Sequence, residues 1–116
     1  QGLARRLHDR LVALDIPGLP EEPEGADSVF WRYPIWTDDP DGLRAFLAER
    51  YVDTATSGLL CMSREPEFED IASDTPEAFR FMDRMVFLPM HASLTPEDMD
   101  YLASCVAAWF DTRGPR

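Results

Sequence analysis

Lysine does not occur in this 116-residue sequence; all 11 basic side chains are arginine. Any mechanism that needs a lysine amine from this chain is thereby excluded, including a Schiff base to a carbonyl cofactor. Histidine is nearly absent, with only His8 and His91. Cysteine is limited to Cys61 and Cys105, too few for a disulfide framework or a zinc pattern, so no metal is expected. The plain expectation is two reduced, buried thiols in a cytoplasmic protein. The six glycines are scattered singly, which leaves no phosphate-cradling loop. No apolar run reaches the roughly 18 residues of a membrane span. The start lacks both the long apolar stretch of a signal peptide and an initiator methionine, so a piece of a longer chain is expected.

What is abundant is negative charge. Twenty-two acidic residues against 11 basic ones give −11 at neutral pH. A phosphate backbone or an anionic bilayer would be repelled, so neither nucleic acid nor membrane is expected as a partner. Apolar residues make up 45% and aromatics 11%, enough for a folded core in one domain spanning residues 1–116.

Helical spacing of Leu3, Leu7, Leu11 and Leu14, with Val12 beside them, predicts a helix over 3–14 that Pro17-Gly18-Leu19-Pro20 stops. Val29 to Trp36 is rich in aromatic and β-branched residues and predicts a strand covered on both faces, with Pro34 marking an edge or bulge. Asp39-Pro40-Asp41 opens a second helix, with Leu43, Phe46, Leu47 and Tyr51 as its buried stripe. Gly58 to Met62 reads as a short strand, and residues 63–74 as an acidic loop with Phe68 in its middle. Thr75-Pro76-Glu77 opens a third helix to about Arg84. Met85 to Leu88 is a third strand ended by Pro89, and Thr95-Pro96-Glu97-Asp98 caps a last helix carrying Met99, Leu102, Ala103, Val106 and Phe110. The expected class is α+β: a small three-stranded sheet with helices packed mainly on one face.

Little in this pattern is self-contained chemistry. His8 is expected to face solvent beside Asp9. His91 sits in a loop after a strand, where a site can lie. Asp38-Asp39-Pro40-Asp41-Gly42 superficially suggests a calcium loop. If Gly42 is its turn glycine, however, the first ligand position holds Thr37 and the bidentate one Ala48, so capping explains the acids better. No serine, histidine and aspartate set is legible.

Four segments together resemble the C-terminal small domain of DegT-type sugar aminotransferases. They are the helix end Leu14-Asp15-Ile16-Pro17-Gly18-Leu19; the aromatic strand Phe30-Trp31-Arg32-Tyr33-Pro34-Ile35; the helix end Leu47-Ala48-Glu49-Arg50-Tyr51; and Phe87-Leu88-Pro89-Met90-His91-Ala92-Ser93-Leu94-Thr95-Pro96-Glu97-Asp98. The last is the most specific, close to the family's L-P-x-H-x-x-L-T-x-x-D. The third stands where the family usually has a short L…G-I turn before its next strand. The likeness spans nearly all of this sequence but about a third of a family enzyme.

The resemblance implies the small domain of a fold-type I enzyme dependent on pyridoxal phosphate. The implied reaction transfers an amino group, typically from glutamate to a keto sugar on a nucleotide. Cofactor contacts and the tethering lysine belong to the family's large domain. Hence no catalytic or cofactor-binding residue is expected here, and the chain alone is expected to be inactive and to bind no cofactor. The implied partners are that large domain and a second copy in a homodimer. The loop Leu60–Glu67 and the turn around His91 are the parts expected to face a cleft, with Arg64 and His91 the substrate-side candidates. The stretch Cys61-Met62-Ser63-Arg64-Glu65-Pro66 departs from the family's usual aromatic or histidine-containing one. An apolar patch between the first helix and the 29–36 strand is expected where the large domain docks. The alternative is a non-catalytic acidic interaction or regulatory domain that its charge steers to a basic partner.

Overall fold

The computed structural model describes residues 2–56 and 60–114. Helix α1, Gly2–Ala13, buries Ala4, Leu7 and Leu11 at helical spacing. Val12 and Leu14 stay exposed. The helix ends where Ile16 N–H bonds the Leu11 carbonyl and Asp15 N–H that of Val12, with Asp15 left-handed at φ 56°. That reversal buries Ile16 against the core in place of Leu14.

Strand β1, Tyr33–Trp36, pairs antiparallel with β2, Met85–Leu88, and Tyr33 lies opposite Leu88. Tyr33, Ile35, Val86 and Leu88 project to one side and are almost wholly buried. The expected strand over Val29–Trp36 is shortened to its second half. The ladder stops at the Tyr33–Leu88 pair, one step short of where Arg32 would face Pro89. Val29 and Trp31 are left exposed rather than covered. Pro34 does stand on an edge strand, since among the described residues β1 has β2 on one side and no strand on the other.

The expected third strand is absent from the sheet, which has two strands among the described residues. Ala55 alone bridges to Phe87 on the free side of β2. Positions 57–59 of the Gly58–Met62 segment lie outside the described residues, and Met62–Arg64 forms a 3-10 turn followed by another at Pro66–Ile71. Two prolines in the acidic stretch 66–76 and alternating acids favour turns over a ladder.

Helix α2, Pro40–Ala48, is capped by Asp39, whose carboxylate accepts from Gly42 N–H at 3.0 Å. Leu43 and Leu47 are buried, but Tyr51 is not on their stripe. The helix stops three residues earlier, and Val52 turns inward instead. Helix α3, Pro76–Asp83, has no buried residue and no side-chain cap; Thr75 gives its hydroxyl to a 2.7 Å bond with Ser63. Phe81 packs on Trp36, whose indole N–H donates to the Phe81 carbonyl at 3.1 Å. Helix α4, Pro96–Asp111, opens with the reciprocal bonds of Thr95 and Asp98, and its stripe from Met99 to Phe110 is buried as expected.

Helices α1, α2 and α4 thus supply one core cluster against the buried face of the sheet. Arg6 and Arg10 both pair with Asp100, tying α1 to α4. Arg113 pairs with Asp38 and Asp39, tying the end of α4 to the start of α2. Asp38 therefore pairs, and Asp39 both caps and pairs. Among the described residues no group of three or more histidines, cysteines or acids is placed to hold a metal. None of the described helices is long and apolar enough to cross a membrane.

Candidate functional site

His91 lies in the turn between β2 and α4, held by Leu94 N–H on its carbonyl at 3.1 Å and by Ser93 Oγ, 2.6 Å from Nδ1. Its ring is exposed at the junction of two clefts. One, about 480 Å³, is lined by Tyr51, Asp53, Asp98 and Tyr101 among others. The second, about 260 Å³, is lined by Trp31, Arg32, Asp53, Thr54 and Phe87 among others.

Arg64 lies elsewhere, on a third cleft of about 280 Å³ with Thr56, Leu60 and Cys61. Its guanidinium already makes a two-pronged pair with Asp83, both contacts at 2.8 Å, and lies 3.7 Å over the Phe79 ring. That hydrogen-bonded pair raises the Arg64 pKa and lowers that of Asp83. An anion reaching Arg64 competes with Asp83 for this fork. The two sequence candidates therefore line different clefts.

The residue that sequence reading missed is Arg32. Its guanidinium sits 4.4 Å from the Trp31 ring centroid and 5.5 Å from that of Phe87. It makes no hydrogen bond or ion pair with another described residue. Read as one position of a continuous strand, it drew no attention. The signal was available in the order Trp31-Arg32 just before β1, an arginine beside an aromatic in a segment with no carboxylate to pair it.

Two other expectations change. His8 is half-buried rather than solvent-facing, with Nδ1 2.6 Å from the Tyr33 hydroxyl. Burial pushes the Tyr33 phenol above its usual value, so the hydroxyl keeps its proton in the bond it shares with His8. Cys105 is buried as expected, whereas Cys61 is half-buried, 3.4 Å from Ser63 Oγ; both thiols are free. Phe68 is half-buried and helps line a cleft of about 300 Å³ beside Cys61 and Ile71.

A short antiparallel ladder with three helices on one face, and a histidine-bearing turn leading into a capped terminal helix, make up a small α+β unit. The chain belongs to the DegT/DnrJ/EryC1/StrS aminotransferase family, whose model matches residues 1–107. It is similar to a DegT DnrJ EryC1 StrS aminotransferase from Brucella abortus, at 25% identity and TM-score 0.74 over 92% of this chain and 29% of that one. It is also similar to DesV from S. venezuelae, solved with a ketimine intermediate, at 26% identity and TM-score 0.80 over 93% and 30%. The aminotransferase TlmJ from Streptoalloteichus hindustanus shares the fold at 21% identity and TM-score 0.74, over 97% and 33%. No curated protein matches. The chain thus spans about a third or less of the length of these solved relatives.

Enzymes of this family use pyridoxal phosphate. The residues here do not fit that coenzyme by themselves, because no lysine is present to tether it. No chemical step through it is assigned to them.

Proposed function

We propose that residues 1–116 are one domain, the C-terminal small domain of an aminotransferase that moves an amino group from glutamate to a keto sugar carried on a nucleotide. The observation that carries this reading is a family match over 1–107 by a chain that covers about 30% of its solved relatives. The coenzyme then sits on a lysine outside these residues, and the chain alone is inactive. A large catalytic domain is its partner, and two copies of the whole enzyme pair as a homodimer. The exposed Val12, Val29 and Trp31 support docking on the surface between α1 and the segment before β1. Two free thiols suit a cytoplasmic enzyme. His91 and Arg64 serve on the substrate side, Arg64 where an anion competes with Asp83 for its fork.

The test is amino transfer by the full-length protein with glutamate and a nucleotide-linked keto sugar, with and without these 116 residues. Activity is expected only with them. His91→Ala and Arg64→Ala are expected to raise KM for the sugar nucleotide with kcat little changed. A full-length protein that fails to transfer amino groups to any such sugar would overturn the reading.

A further inference from the structure

We infer that Arg32 is an oxyanion-binding residue, and that the cleft it shares with His91 is the place where a carboxylate or phosphate of a ligand is held. The inference rests on the aminotransferase reading only for the source of that anion.

Nine other arginines among the described residues offer a comparison. Arg5, Arg6, Arg10, Arg64, Arg80 and Arg113 sit within 3.2 Å of a carboxylate oxygen. Arg50 and Arg84 give their N–H groups to backbone carbonyls. Arg44 has no such partner either, but it lines none of the clefts described above. Arg32 alone joins three properties: a guanidinium free of acceptors, a position between two aromatic rings, and a place on a cleft wall. Stacking between Trp31 and Phe87 limits the rotamers of the side chain and leaves the edge N–H groups unused. A guanidinium so held needs little further ordering to grip a carboxylate or phosphate with two parallel bonds. In a chain of charge −11 with 22 carboxylates to choose from, a preorganised and unpaired arginine is a vacancy for an external acceptor.

The cleft also tells two sources of anion apart. Asp53 lines it and makes no ion pair with a described residue. An amino acid would place its carboxylate on Arg32 and its ammonium on Asp53. A diphosphate would use Arg32 and be opposed by Asp53. Replacing Asp53 by Asn must therefore weaken binding of the first and strengthen binding of the second.

The experiment is calorimetric titration of the full-length protein with L-glutamate and, separately, with sodium pyrophosphate. At least one is expected to bind. Arg32→Gln is expected to weaken that binding about tenfold, and Arg32→Lys by less, since the charge remains but the planar fork is lost. Arg80→Gln removes the same charge from a solvent-facing pair with Glu77 and is expected to change nothing. Melting curves for Arg32→Gln and Arg32→Lys that match the native protein separate a loss of binding from a folding defect. Asp53→Asn then names the source: weaker glutamate binding assigns the amino donor, tighter pyrophosphate binding assigns the nucleotide. Binding unchanged in Arg32→Gln, equal losses in Arg32→Gln and Arg80→Gln, or no binding of either probe would overturn the inference. Amino transfer that proceeds with unchanged KM values in Arg32→Gln would leave the enzyme reading standing and remove Arg32 from it. Arginine-dependent binding in a protein without amino transfer would do the reverse.

Discussion

Tyr51 shows how much a single backbone angle decides. The Val52 N–H reaches the Leu47 carbonyl and the Tyr51 N–H reaches that of Ala48, a helix ending that puts the penultimate residue in left-handed space. Glycine suits that position best, having no Cβ to clash. Here it is tyrosine at φ 63°, with its side chain 99% exposed. The ring gains no burial to offset the strain. Tyr51→Gly is therefore expected to stabilise the protein by about 1 kcal/mol, read as a higher urea midpoint at unchanged m. A lower midpoint would mean that the ring contributes contacts. Gly18 is the opposite case. It has φ +71°, and a Cβ there would run into the Trp36 carbonyl oxygen, while its own carbonyl accepts from Trp36 N–H at 2.9 Å. Gly18→Ala is expected to cost about 2 kcal/mol or more, measured the same way.

Glu22 carries a pH signature at the same scale. Its hydrogen bond from Arg5 at 2.7 Å, then that from Ser28 N–H, lower its pKa from 4.5 to about 2. A carboxylate with a depressed folded value adds stability that is complete above the unfolded value and is lost as pH falls through the folded one. The melting-temperature gap between the native protein and Glu22→Gln is expected to be constant above about pH 5 and to close between 4.5 and 2. A gap that widens on acidification would show that the pairing is not made.

Among the elements, the legible parts were those whose signal is local. The cap at Thr95 and the stripe from Met99 to Phe110 are written in consecutive residues, and α4 follows them. Thr95→Ala is expected to lose about 1 kcal/mol, since the Asp98 N–H loses the hydroxyl that accepts from it. Thr75 looks the same in sequence and behaves differently, because its hydroxyl bonds Ser63 twelve residues away. Ser63→Ala and Thr75→Ala are accordingly expected to be non-additive, the double variant losing no more than the larger single one. The length of β1 was illegible for a similar reason. Nothing within Val29–Trp36 says that the ladder stops at Tyr33, opposite Leu88. Tyr51 was misread because a helical stripe continues on paper past the point where a left-handed residue reverses the chain.

At the scale of the whole molecule, the sequence disclosed class and kinship better than the site. The α+β class and the turn Leu88-Pro89-Met90-His91 before a capped helix were readable because they depend on order along the chain. The site depends on which carboxylate reaches which arginine. Arg64 seemed available in sequence and is clasped by Asp83 nineteen residues on, while Arg32 seemed a strand residue and is unpaired. The absence of lysine is the fact that constrains function most. On the proposed reading it gives this chain a dependent role, closing or shaping a cleft whose coenzyme is held elsewhere. The measurement that tests this most directly is amino transfer from glutamate to a nucleotide-linked keto sugar, with pyridoxal phosphate added, by the 116-residue chain beside the full-length protein. The account predicts turnover by the full-length protein and none by the chain alone. Turnover by the purified chain would contradict it.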